Sequence, residues 1–259
     1  MSPPVLEMRG IAKTFPGVRA LSSVDLTVRA GSVHAIVGEN GAGKSTLMKI
    51  LSGQYQPSSG EIRLDGAPVT FSGPADAAAR GIAMVHQELN LAPDLTVAEN
   101  IHLGRMPRRG FFVDKQALTR GAQEVLAVLG AKLHPGARVG DLAVSQQQLV
   151  EIAKAYVSRP RIIVLDEPTS SLSEHEAHLL FAVLRRMREA GTSIIYISHR
   201  LREVLEIADE VTVLRDGPWW ATALRRSDGG RDDPPHGRAG RHRPLPQAAR
   251  HDWCLCARG

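Results

Sequence analysis

Gly38-Glu39-Asn40-Gly41-Ala42-Gly43-Lys44-Ser45-Thr46 meets the phosphate-loop pattern G-x-x-x-x-G-K-[ST] at every fixed position. Its flanks supply the context that gives the pattern meaning. Val33 to Val37 is a short apolar run suited to a buried strand, and Thr46 to Leu51 continues in helix-forming residues up to a stop at Gly53. A strand, a glycine loop and a helix N-terminus form an anion site, because backbone N–H groups converge there and the helix dipole favours negative charge. These residues imply a site for a nucleoside triphosphate.

A second element fits the same chemistry. Ile162-Ile163-Val164-Leu165 reads as a buried parallel strand that delivers Asp166 and Glu167 at its carboxyl end, where open α/β sheets hold their ligands. The first carboxylate suits Mg²⁺, which keeps much of its water shell, and the second suits a base that orients and deprotonates an attacking water. Upstream, Leu149, Ile152, Ala153 and Tyr156 recur at helical spacing, and Arg159-Pro160 ends that helix. Downstream, Ala177, Leu180, Phe181, Leu184 and Met187 predict a second helix, and Ile194 to Ile197 a further buried strand delivering Ser198-His199-Arg200.

The order of these elements resembles the ATP-binding subunit of ABC transporters, over about Leu6 to Gly217. The resemblance implies an α/β P-loop NTPase fold with a mixed sheet core, an N-terminal antiparallel β subdomain and a helical subdomain at about 88–158, the whole domain covering 5–217. It also implies roles. Gly38 to Thr46 (Gly38, Glu39, Asn40, Gly41, Ala42, Gly43, Lys44, Ser45 and Thr46) would hold ATP, and Phe15 would stack on adenine. Gln87, ending the strand Ile82 to Val85, matches the Q-loop glutamine, which touches Mg²⁺ and senses the membrane subunit. Ser45, Gln87 and Asp166 would serve Mg²⁺; Lys44, Gln87, Glu167 and the switch histidine His199 would carry hydrolysis. Ser170-Ser171-Leu172-Ser173 occupies the D-loop.

Leu142-Ala143-Val144-Ser145-Gln146 sits where the signature L-S-G-G-Q belongs. There Ala143, Ser145 and Gln146 would reach the γ-phosphate held by a facing domain. Ala143 replaces the signature serine, and losing a hydroxyl donor to a charged oxygen typically costs about 1.5–3 kcal/mol.

Lys13-Thr14-Phe15-Pro16-Gly17-Val18, His86-Gln87-Glu88-Leu89-Asn90-Leu91 and Tyr196-Ile197-Ser198-His199-Arg200-Leu201 look like the bacterial importers of ribose, galactose, xylose or similar sugars. Members carry two nucleotide-binding domains in a chain about twice this length, of which this sequence matches the first. The implied partners are membrane permease subunits docking near Glu88 to Arg105, a second nucleotide-binding domain and, indirectly, a periplasmic or extracellular sugar-binding protein. The implied location is the cytoplasmic face of the membrane, as a peripheral subunit.

Composition bounds the remainder. The chain has 259 residues, is 43% hydrophobic and carries a formal charge of +5. No stretch reaches the roughly 18 apolar residues of a membrane span, and Met1-Ser2-Pro3-Pro4 does not read as a secretory signal, so a cytoplasmic protein is expected. The basicity is concentrated after Gly217, where eight arginines face four aspartates among residues 218–259. That segment holds all three tryptophans and both cysteines but no Ile, Val, Phe, Tyr, Met, Lys or Glu. It cannot bury enough apolar surface to offset its ordering entropy, so disorder is expected there. Val211 to Leu214 with Arg215-Asp216-Gly217 reads as a strand entering a hairpin whose partner strand and following helix are missing. Residues 218–259 read as an aberrant tail translated in a shifted frame, with a genuine disordered extension as the alternative; translating the other two frames after codon 217 distinguishes them.

The lesser signals are structural. Cys254 and Cys256 match neither a zinc nor a redox spacing. His175 and His178 are three apart, where the zinc-protease pattern needs four, and read as a solvated helix face. His236, His242 and His251 accompany arginines without a reader motif, so no specific nucleic-acid partner is expected. Met48, Met84 and Met187 lie within apolar patterns as core filler.

Overall fold

The runs of branched apolar residues become the centre of the molecule. In this computed structural model, residues 3–39, 41–214 and 220–223 are described, the last four by their backbone alone. Strands β1 (Pro4–Phe15) and β2 (Val18–Arg29) form a long antiparallel pair. After β3 (Val33–Gly38) and helix α1 (Lys44–Leu51), strands β4 (Ser59–Leu64) and β5 (Ala67–Val69) return to that pair, giving an antiparallel sheet ordered β2-β1-β4-β5. Next come α2 (Pro74–Ala79), β6 (Ile82–Val85) and α3 (Val97–Ile101). A small hairpin of β7 (Arg108–Arg109) and β8 (Phe112–Val113) leads into α4 (Lys115–Leu129). A 3₁₀ turn, Val139–Asp141, precedes α5 (Val144–Tyr156). The chain then alternates β9 (Ile162–Asp166), α6 (Glu174–Glu189), β10 (Ser193–Ile197), α7 (Leu201–Ile207) and β11 (Glu210–Leu214). It ends in β12 (Trp220–Ala223).

The second sheet runs β12-β11-β3-β10-β9-β6, with β11, β3, β10, β9 and β6 parallel. Such strands are covered on both faces, which is why β9 and β10 read as unbroken apolar runs. One face packs with α1 and the antiparallel sheet around Leu6, Ile36, Leu47 and Ile195. The other packs with α3, α4, α5 and α6 around Val150, Leu165, Phe181 and Tyr196.

The expected strands and helices therefore form, with two differences. The α5 stripe is wider than expected: Ile152, Ala153 and Tyr156 are buried and Leu149 packs half-buried against the core, but Gln148, Val150 and Glu151 are buried as well. The helix is wedged among α3, α4 and β6, so more than one face is covered. The missing return strand is corrected over four residues, where Trp220–Ala223 pairs antiparallel with Val211–Leu214. An edge strand exposes a row of unpaired N–H and C=O groups, and pairing with it uses backbone alone, so the unusual composition does not prevent it. The rest of the predicted disordered tail, with Cys254, Cys256, His236, His242 and His251, lies outside the described residues.

The last parallel strand presses directly on the start of the phosphate loop. Leu214 pairs with Gly38, and a Cβ at Gly38 would lie 2.6 Å from the Leu214 carbonyl oxygen. Only glycine fits.

Candidate functional site

The carboxyl ends of β3, β9 and β10 lie side by side and deliver three functional segments to one edge of the sheet. After β3 the chain turns through Gly41 and Gly43 at φ of 92° and 89°, the left-handed region. Gly43 has a second reason to be glycine: a Cβ there would stand 2.7 Å from the Ala20 carbonyl oxygen. The turn brings Lys44 into the first position of α1, 7% exposed, with its Nζ donating to the carbonyl oxygens of Gly38 at 2.6 Å and Glu39 at 3.0 Å. The ammonium thus lies back across the loop that it serves.

At the end of β9, Asp166 is half-buried and its carboxyl is held above the usual carboxylate range. Burial is the main cause and the Glu167 carboxylate the second; His86 and Lys44 oppose them. Lys44 and Asp166 therefore share one electrostatic environment. Glu167 follows with φ 46°, unusual for a residue with a side chain. Its N–H donates to the Ile197 carbonyl at 3.0 Å, and its Oε1 lies 3.2 Å from Nδ1 of His199. A cavity of about 220 Å³ is lined by Gly41, Gly43, Lys44, Ser45, Thr46, Gln87, Asp166 and Glu167.

The predicted residues thus fall into four groups. Lys44, Ser45, Gln87, Asp166 and Glu167 meet in the cavity, with His199 beside Glu167 and 56% exposed at the rim. Gly38 and Glu39 serve through their carbonyls, whereas Ala42 is buried in the core and its N–H is bonded to the Glu39 carbonyl at 3.2 Å. Asn40 lies outside the described residues. Phe15 stands apart, edge-to-face with Tyr55 at 5.4 Å, and Lys13 Nζ lies 5.3 Å from the Phe15 ring centre.

The signature segment is separate. Among the described residues, the cavity takes none from 142–146. Ala143 is the N-cap of α5, its side chain bonding nothing, and Gln146 Oε1 accepts from the Ala143 N–H at 3.2 Å. The Ser145 side chain lies close enough to Glu176, in the first turn of α6, to bear on its carboxyl. That carboxyl is held down at about 2, first by the Ser173 backbone, then by the Ser173 hydroxyl and then by Ser145. His175 and His178 are exposed on α6, and His178 Nδ1 lies 3.1 Å from Glu206.

Residues 21–170 match the family model described as ABC transporter. The chain belongs to the ABC transporter family. It is 66% identical over 212 residues to a protein of Agrobacterium fabrum named as an ATP-binding protein for ribose/galactose/methyl galactoside import. The match spans 82% of this chain and 42% of that protein. It is 54% identical over 230 residues to a ribose import ATP-binding protein of Rubrobacter xylanophilus, spanning 89% of this chain and 46% of the relative. The chain therefore covers somewhat under half the length of these curated relatives. Among solved structures, a nucleotide-free ATP-binding cassette from an ABC transporter superposes with TM-score 0.77 at 27% identity. That alignment covers 86% of this chain and 92% of the cassette. A cassette in its ADP conformation gives 0.74 at 28% identity over 82% of this chain and 88% of its own length. The ABC match stops at residue 170, before His199, so the histidine joins the site through the β9–β10 register and not through the matched segment.

Sequence reasoning gave no role to His86, whose charge bears on Asp166, or to the hydroxyls around Glu203 behind the site. A histidine directly before Gln87 was a local cue. The Glu203 group had none, since Thr169 lies 34 residues away from Glu203 in the chain.

Proposed function

We propose that this chain binds MgATP and hydrolyses it as the first nucleotide-binding half of an ABC importer for a monosaccharide. The convergence of Lys44, Ser45, Gln87, Asp166 and Glu167 on one cavity is the observation that carries this reading. Loop amides and Lys44 would hold the β- and γ-phosphates, and Phe15, with Tyr55 at its edge, offers an aromatic face for adenine. The donor set fits Mg²⁺: the Ser45 hydroxyl, the Gln87 amide oxygen and the Asp166 carboxylate are hard oxygen ligands, and an acid half-buried beside Glu167 favours a cation nearby. Bound there, Mg²⁺ would neutralise charge on the phosphates.

Glu167 would accept a proton from the attacking water while the new oxygen–phosphorus bond forms and the bond to ADP breaks. His199, already beside Glu167, would face the γ-phosphate. Catalysis of this kind is mostly positioning and charge stabilisation.

The segment from Glu88 to Arg105 would dock the permease on the cytoplasmic face of the membrane. Its shape is held by the buried Asn100, which accepts from the Ala92 N–H at 2.8 Å and donates to the Ala92 carbonyl at 2.9 Å. Among the described residues no helix is long and apolar enough to cross a membrane, which agrees with permease subunits supplying the channel. The sugar named for the relatives supports ribose or galactose as cargo. A facing domain, from a second copy or another chain, would supply the signature segment.

A second reading, a nucleotide-binding remnant without turnover, is favoured by the methyl group of Ala143. Measuring Mg²⁺-dependent ATP binding and phosphate release on one sample separates the two. Release that Glu167→Gln abolishes supports the ATPase; binding without release in either protein overturns it in favour of the remnant.

A further inference from the structure

Behind the rim of the cavity lies a buried polar group that none of the assigned roles uses. Glu203, in the first turn of α7, is 8% exposed. Its Oε2 accepts from the hydroxyls of Thr169 at 2.6 Å, Tyr196 at 2.8 Å and Ser198 at 3.2 Å. Its Oε1 accepts from Arg200 Nη1 at 3.1 Å, and the Ser198 hydroxyl in turn accepts from the Arg200 N–H at 3.0 Å. Thr169 and Ser198 are each 2% exposed and Tyr196 is fully buried.

The positions of these partners matter more than their number. Thr169 stands two residues after Glu167, in the turn that leaves β9, and Ser198 stands directly before His199, in the turn that leaves β10. One carboxylate therefore grips both segments that deliver the Glu167–His199 pair, and Tyr196 and Arg200 hold it from either side of that second turn. A buried acid is costly unless fully partnered, and hydrogen bonds to a charged acceptor are shorter and stronger than neutral ones. An apolar core residue would fill this space without either constraint. The Tyr196 phenol is raised above its ordinary value, by burial first, so it remains a donor to the carboxylate throughout the working range.

We propose that Glu203 is a positioning residue that locks the Glu167–Thr169 turn to the Ser198–Arg200 turn, and so sets the alignment of Glu167 with His199 for hydrolysis. This rests on the ATPase reading above for its consequence in turnover, but the locking itself is independent of it. Glu203 does not line the cavity; it acts through the two turns.

The test uses the full chain as wild type, Glu203→Leu, Glu203→Gln, Thr169→Val and Ser198→Ala. Two readouts are taken: the KM and kcat of phosphate release, and hydrogen–deuterium exchange of peptides covering 166–173 and 198–203. Glu203→Leu is expected to lower kcat by about tenfold or more, as sub-ångström misalignment does, with KM changed less than about twofold. Glu203→Gln, which keeps one oxygen acceptor, is expected to restore most of it. Exchange should rise in both peptides together in Glu203→Leu, and each single hydroxyl deletion should loosen the opposite turn as well as its own. An unchanged kcat, a parallel loss of nucleotide binding, or faster exchange confined to the altered turn overturns the proposal. Should wild type release no phosphate, the ATPase reading falls while the exchange result still decides the locking. Should Glu203→Leu not fold, the Gln, Val and Ala variants carry the same comparison.

Discussion

At the phosphate loop, Lys44, Asp166 and Glu167 face one another across a cavity lined by glycine backbone. At the start of α5, by contrast, Ala143 presents a methyl group and the Ser145 side chain neighbours the Glu176 carboxyl. The first region is drawn from the edge of one sheet: Lys44 and Ser45 follow β3, Asp166 and Glu167 come at the end of β9, and Gln87 follows β6. Among the described residues, the second contributes nothing to that cavity. On the proposed reading it would meet its ligand by facing another domain, so that one polypeptide would carry the two complementary parts of a composite site.

The sharpest way to break this contrast is Glu167→Gln. It removes the proposed base while keeping shape, so phosphate release in a single-turnover assay is expected to fall by about 10²–10⁴ with nucleotide affinity nearly unchanged. Next in size is Lys44→Ala, which deletes a charge-assisted donor; titration with a fluorescent ATP analogue should show affinity weakened by about 10–150-fold. A loss as large in nucleotide affinity for Glu167→Gln would mean that the two carboxylates bind rather than divide the work.

Ala143→Ser sharpens the other side. Restoring a hydroxyl at the N-cap of α5 is expected to raise turnover by up to about tenfold, and only at protein concentrations where domains meet, leaving nucleotide affinity of the isolated chain unchanged. No gain at any concentration would show that the signature side is limited by something other than that donor.

The smallest effect is at the outer strand. Glu210 on β11 lies 2.7 Å from Arg29 Nε and 3.6 Å from the buried His34 ring. Its carboxyl is held below the ordinary 4.5, first by the neighbouring His34 ring and then, against the cost of burial, by Arg29. A depressed acid contributes stability above its unfolded value and loses it as pH falls through its folded value. The difference in urea unfolding free energy between wild type and Glu210→Gln should therefore be level down to about pH 5 and shrink below 4.5, from a starting value of no more than about 1 kcal/mol.

What was legible in the sequence was local. The phosphate loop is a contiguous string with obligatory glycines, and β9 and β10 are apolar runs because both their faces are covered. Asp166 and Glu167 follow directly from where β9 ends. The breadth of the buried face of α5 was harder, since the 3.6-residue period identifies a helix but a helix packed on several sides also buries Gln148 and Glu151. Least legible were contacts made by single polar atoms across long separations. The Glu203 carboxylate meets Thr169 across 34 residues, and nothing in the spacing of hydroxyls along a chain announces such a meeting. The left-handed backbone of Glu167 was equally silent, because no glycine marks it. The β12 pairing escaped notice for the opposite reason: it rests on main-chain groups that every non-proline residue carries.

Gly38, pinned by the Leu214 carbonyl, joins the far end of the described core to the threshold of the nucleotide pocket. Fraying that begins beyond Leu214 would be transmitted straight to the loop that grips phosphate. Conversely, an occupied loop should act as a doorstop for the closing strand, so that bound nucleotide slows carboxyl-terminal trimming by an exopeptidase at a point remote in chain order yet adjacent in space.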